Sequence, residues 1–424
     1  MVAKGSAAVL GTLIAVTAVL AAPPARAQHA ATAPSPSPTA ATQPTPDTPT
    51  TGTAAPALAA TPTTSSPPVQ PPRPTSITIA TWDGAYGAAQ QAAVLGPFAQ
   101  EHAIEVKSVP ALRNRLPDRA DVVEIDAATL EAACASGQLV PIEPSALHPG
   151  SGGTDAREDF LPGMLTRCGV GNVAWSAVIA VNRQAFATRA PKTLADAFDT
   201  KRFSGKRAFV REPRHLLEAT LLADGVDGTE VYRLLETDAG LDRALGRLDR
   251  IFRDILWVDD AKGAMEAVEK GNAAVGQVFS GRAFLSAARG SGIELVWDGQ
   301  LYSVNFLAIS AGSEAKDVAL DLVSFATSPE RLAAFAQQLP YGPVRLSALA
   351  LTRSHAVADV PLEPFLPTSP ANLTRAVAFD PVWWARHGEK IAVRFRVWLA
   401  EGENAAKAHQ SGESPPPLPQ PKPR

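Results

Sequence analysis

Apolar and polar positions between residues 76 and 401 follow two alternating periods. SITIATW, IEVKSV and RADVVEID are short runs rich in β-branched residues, and each predicts a strand. GAAQQAAVLGPFAQEHA carries apolar residues at helical spacing, as does ATLEAACASGQL, which Gly137 stops. Further along, NVAWSAVIAVN predicts a buried strand and KRAFVREP a strand leading into the helix RHLLEATLLADG. LDRALGRLDRIF is an amphipathic helix, ILWV a strand, and IELVW and YSVNFLAIS two more strands. The helices KDVALDLVSFATS and PERLAAFAQQL follow, with Pro329 at the first helical position behind Thr327 and Ser328. Strand, helix, strand, helix predicts an α/β chain with parallel strands, and so many elements predict two lobes.

Composition changes the picture at the ends. Lys4, an apolar run over residues 8–22 and the small residues of Ala25-Arg26-Ala27 predict a cleaved signal peptide over 1–27. An uncleaved anchor is the alternative, although the run is shorter than the ~20 residues that span a bilayer. Residues 28–75 hold 13 of the 38 prolines and almost no large apolar side chains, which predicts a disordered Pro/Ala/Thr-rich linker. Residues 402–424 end in PPPLPQPKPR and predict a disordered Pro-rich tail. The 39 basic and 42 acidic residues give no electrostatic footprint for nucleic acid. Two Cys and scattered His supply no zinc-site spacing, so no metal or cofactor is expected.

Several segments, in order, carry a family resemblance: TWDGAYGAAQQAAVLGPFAQE, ADVVEID, GQLVPIE, CGVGNVAWSAVIAVN, GNAAVGQVFSGRA, WDGQLYSVNFLAIS, ATSPERLAAFAQQLPYGPV and LPTSPANLTRAV. From Ile77 to Ala400 the chain resembles the extracellular solute-binding proteins of ABC importers, spermidine/putrescine type. The resemblance implies a two-lobed periplasmic binding protein of the second type, closing on a small solute held between the lobes. It implies one lobe from 76–178 with 305–401 and the other from 179–304, with crossings near 176–182 and 302–308. It also implies a monomeric, periplasmic, non-enzymatic protein that delivers its solute to ABC permease subunits of the inner membrane.

Candidate ligand residues follow from that resemblance and from strand-end chemistry. Trp82, Asp83 and Tyr86 come just after the first strand, where a ring can stack on a ligand and a carboxylate can take an ammonium. Core packing for Trp82 and turn chemistry for Asp83 are the alternatives. Glu124 and Asp126 close another strand, with Asp126 read as a helix cap and Glu124 as a cleft candidate. Asp259 follows ILWV, where Asp260 is again a plausible cap, while Tyr302 lies at the crossover and Tyr341 in PYGPV. The paired Trp383 and Trp384 read as helix packing.

VFSGRA and YSVNFLA depart from the polyamine pattern. The acid three positions after the aromatic Phe279 is replaced by Arg282, and the usual Asp is Asn305. A guanidinium there disfavours a polycation and suits a ligand carboxylate; solvent exposure, or pairing with Glu266 or Glu269, is the alternative. A polyamine remains the family expectation, with a carboxylate-bearing or zwitterionic solute beside it. Cys134 and Cys168 match the paired cysteines of this subfamily, and a disulfide closing their loop is worth about 3–4 kcal/mol; a catalytic thiol is the rival. GxSxG, HExxH, P-loop and post-strand GxGxxG motifs are absent. A secreted hydrolase is thereby disfavoured, and a periplasmic sensor on the same fold is the second functional reading.

Overall fold

The computed structural model describes residues 74–411. The signal segment 1–27, the linker up to residue 73 and the final prolines lie outside the described residues. The chain divides into Met1–Val69 and Gln70–Arg424, and the strands, helices and cores described below all belong to the second unit.

Ten strands form one mixed sheet: β1 (Ser76–Thr81), β2 (Glu105–Pro110), β3 (Val122–Ile125), β4 (Gly169–Asn182), β5 (Arg207–Val210), β6 (Ile255–Val258), β7 (Val275–Phe279), β8 (Ile293–Ile309), β9 (Gly342–Pro343) and β10 (Val377–Ala378). The order is β2-β1-β3-β8-β4-β7-β5-β6, with β10 added to β8 and β9 to β4. β1 runs parallel to β2 and β3, and β5 runs parallel to β6 and β7, as the strand–helix alternation predicts. The parallel expectation fails at the centre, where β4 and β8 run antiparallel to each other and to their flanking strands. These two long strands serve both halves of the sheet. The Gly169 end of β4 and the Ile309 end of β8 lie on the β1–β3 side, and their opposite ends lie on the β5–β7 side.

Each half has its own apolar core. Ile77, Phe98, Val122, Leu307, Leu322 and Phe335 belong to the first, and Ile179, Phe198, Phe209, Leu217, Leu248 and Phe395 to the second. Burying side chains of this size gives about 1.5–3 kcal/mol apiece. The first core is clamped from outside by Arg345, which is fully buried: its Nε donates to Asp159 at 2.6 Å and its other nitrogens reach the Thr327 and His148 carbonyls at 3.0 Å. Cys134, in the helix Ala127–Ala135, is disulfide-bonded to Cys168, just before β4.

Two expectations are corrected. IELVW and YSVNFLAIS are one 17-residue strand, because Gly299 adopts φ 68° and absorbs a register shift opposite Ala177–Ile179 instead of ending the strand. The C-terminal helix Pro381–Ser411 runs ten residues past Glu401 into the segment read as tail. The added residues GENAAKAHQS contain no proline, and the helix stops before the prolines begin. Its Trp384, Ile391 and Phe395 sit in the second core, although the family resemblance implies that 305–401 belongs with the first lobe. Among the described residues, no helix is long and apolar enough to cross a membrane.

Candidate functional site

The carboxyl ends of β1, β3, β5 and β7 supply the side chains that meet where the two halves join, the location expected for a ligand in an open α/β sheet. On the first half, Glu124 near the end of β3 is fully buried. Its carboxylate accepts from Thr81 Oγ1 at 2.7 Å, from Asn305 Nδ2 at 3.2 Å, from Asn172 Nδ2 at 3.3 Å and from the Tyr86 hydroxyl. Burial raises the Glu124 pKa against the pull of these donors, and burial followed by the Glu124 charge pushes the Tyr86 phenol well above its ordinary value. Asn305 Oδ1 in turn accepts from Trp175 Nε1 at 3.1 Å, so the network extends onto β4.

From Trp175 the contacts pass to the second half. The Trp175 and Phe279 rings meet edge to face at 5.1 Å, and His215 lies 6.1 Å from Trp175 and 5.9 Å from Phe279. Phe279 ends β7, and the helix Ser280–Ala288 begins next to it. Gly281, in the first turn of that helix, lies against Tyr341 of the first half: a Cβ there would stand 2.8 Å from Tyr341 Cε1. The Tyr341 ring lies tilted against Tyr86 with centroids 5.7 Å apart, closing the circuit, and burial raises its pKa while the Arg282 charge pulls the other way. Arg282 is exposed and makes no ion pair among the described residues. Glu266, a partner considered from sequence, is held by Lys262 and Lys270 instead.

The structure thus brings Tyr86, Glu124, Asn305, Phe279 and Tyr341 into one chain of contacts through Trp175 and Gly281, with Arg282 exposed next to Gly281. Tyr302, half-buried on β8 opposite Ser176, lies at the crossing between the halves. Trp82 and Asp83 line a separate hollow of about 310 Å³ with Gly84, Gly87, Ser108 and Val109. The Arg113 guanidinium lies 5.7 Å from the centre of the Trp82 ring. Asp83 is exposed at the start of the helix Gly84–Gln90 without a side-chain capping bond. Asp259 does not join the group: its side chain is fully exposed, 3.9 Å from Arg211, which also pairs with Glu403 of the C-terminal helix. Asp126 and Asp260 cap their helices as expected, accepting from Thr129 N at 2.9 Å and Gly263 N at 2.7 Å. No cluster of three or more metal-ligating side chains occurs among the described residues.

Trp175 and His215 carry no sequence signal that marks them as site residues. Trp175 sits inside a strand whose apolarity reads as core. His215 owes its place to a backbone φ of 64°, which leaves no mark on composition.

Residues 102–364 match the family described as bacterial extracellular solute-binding protein. The γ-aminobutyric acid-binding protein of Pseudomonas aeruginosa is 32% identical over 334 residues, covering 77% of this chain and 91% of that protein. The spermidine/putrescine-binding periplasmic protein of Escherichia coli K12 is 24% identical over 194 residues, 45% of this chain and 53% of its own length. Among solved structures, the Atu4243 GABA receptor superposes with a TM-score of 0.62 at 26% identity, covering 76% of this chain and 97% of that one. The polyamine subtype suggested by the sequence is therefore matched only by the more distant of these relatives, whereas the wider assignment holds. The chain belongs to the bacterial extracellular solute-binding protein family.

Proposed function

We propose that this protein captures a small amino-acid-like zwitterion, with 4-aminobutyrate as the reference compound, and hands it to the permease of an ABC importer after export. One observation carries the choice of solute over a polyamine. The cation Arg282 stands exposed at the junction of the two halves with no ion pair among the described residues, while the buried carboxylate there, Glu124, is taken up by four protein donors. A guanidinium forks onto a carboxylate and repels a polycation. The likeness to the γ-aminobutyric acid-binding protein of Pseudomonas aeruginosa supports the same choice. Capture by closure of the halves is an equilibrium that the ligand shifts by bridging them, with no bond made or broken.

Arg282→Ala tests the assignment. A charge-assisted pair is worth about 1.5–3 kcal/mol, so 4-aminobutyrate affinity should fall about 10- to 150-fold with little change in the melting temperature of the unliganded protein. Unchanged affinity removes Arg282 from the site.

A further inference from the structure

His215 ends the loop between β5 and the helix Leu216–Ala223, at the same edge of the sheet as Phe279. Its backbone, at φ 64° and ψ −32°, is in a region that L-residues with a side chain rarely enter, and such strain persists where the surroundings over-determine it. Here Gln277 Nε2, on β7, donates to the His215 carbonyl at 3.0 Å, and the imidazole stacks on Phe379 with centroids 4.2 Å apart. Phe379 is itself fixed by its N–H, which donates to the Tyr302 carbonyl at 2.8 Å. Trp175 and Phe279 flank the same ring. The ring is therefore held in place, yet Nε2 is shut off from solvent and has no hydrogen-bond partner among the described residues. Leaving a buried ring nitrogen unpaired costs stability.

We infer that His215 is a ligand-contact residue that accepts a hydrogen bond from the solute's ammonium, with Trp175 and Phe279 flanking the same charge. Burial, followed by the adjacent Arg214, lowers the imidazole pKa to about 3, so the ring is neutral at any physiological pH. With its proton on Nδ1, a neutral imidazole offers Nε2 as an acceptor. An ammonium beside aromatic rings gains further from their faces. With Arg282 three positions beyond Phe279, a zwitterion would lie with its amine toward β5 and its carboxylate toward the helix Ser280–Ala288. The orientation rests on the proposed function; the amine contact does not, because a diamine presents the same group.

The test is calorimetry on the full chain with three probes: 4-aminobutyrate, putrescine and butanoate. His215→Phe keeps the stacking ring and deletes the acceptor. It should weaken whichever amine the wild type binds by about 10- to 100-fold while changing butanoate by less than about threefold. His215→Gln, which retains an acceptor, should recover part of the loss. Equal amine affinity in wild type and His215→Phe overturns the inference. A wild type that binds butanoate but neither amine overturns it and spares the carboxylate arm at Arg282, and one that binds none of the three overturns both. A wild type that binds putrescine alone overturns the zwitterion and leaves His215 to be judged on putrescine. If His215→Phe does not fold, the ring ¹⁵N resonances of the wild type decide: Nε2 should shift when the amine binds, and an unmoved resonance refutes the contact.

Discussion

Glu218 illustrates how one buried acid ties stability to pH. It lies in the helix Leu216–Ala223 and is fully buried; Oε1 accepts from Trp384 Nε1 at 2.5 Å and from the Tyr232 hydroxyl at 3.4 Å, while Oε2 has no partner among the described residues. Burial raises its pKa to about 7, and the bonds it accepts only partly oppose this. Facing it are Tyr232, Trp384 with the Arg214 guanidinium 5.7 Å from its ring, and the neutral His215 at the head of its own helix. The folded state holds the proton more tightly than the unfolded chain, so this group's contribution is fully present below about pH 4.5 and is lost as pH rises through about 7. The loss amounts to about 3 kcal/mol. Glu218→Gln should remove that slope, read as urea unfolding free energy at pH 5 against pH 8. A variant with the wild-type slope would show that another group titrates. Glu124 contributes with the same sign, whereas Asp159 and Asp196, whose pKa values are lowered, lose stability as pH falls.

At the scale of elements, the contact between the helix Ser280–Ala288 and Tyr341 brings the two halves together. Gly281 is the residue that permits it, because any side chain would meet the Tyr341 ring. Overpacking of this kind costs about 1–3 kcal/mol. Gly281→Ala should therefore lower solute affinity about 5- to 150-fold while leaving the melting temperature of the unliganded protein within a few degrees. A variant that binds as tightly as wild type would mean that this contact is not made when solute is bound. The elements differ in how far they can be read from the chain. Short apolar runs flanked by turn residues announce β1, β3 and β5, and the caps Asp126 and Asp260 announce their helices, whereas β7 does not read as a strand. β8 reads as two strands because Asp298-Gly299 is turn chemistry, and only its pairing with β4 turns that signal into a register shift. The partners of Glu124 were not legible either: Thr81, Asn172 and Asn305 lie on three strands far apart in sequence, and only the sheet order makes them neighbours. Arg282 and Asn305 stood out because they break a pattern, whereas His215 depends on backbone geometry that residue type does not announce.

For the whole molecule, the two long antiparallel strands explain why one sheet can serve two cores, and why strand ends from both halves face a common junction. The C-terminal helix adds to the second core through Trp384, Ile391 and Phe395, and its Arg386 reaches Glu131 at 3.1 Å on the helix that carries Cys134. It thus touches both halves. Closure on a solute must then work against whatever this helix and the crossing strands resist, and the solute that contributes most is the one that satisfies groups from both sides. On the function proposed above, an exposed guanidinium, an occupied carboxylate and a neutral imidazole whose Nε2 has no partner among the described residues would together favour a zwitterion. Titration calorimetry of the wild-type protein with 4-aminobutyrate and with spermidine, in the same buffer, tests that claim most directly. The account predicts saturable binding of 4-aminobutyrate at least about tenfold tighter than spermidine; spermidine binding as tightly or more so would contradict it.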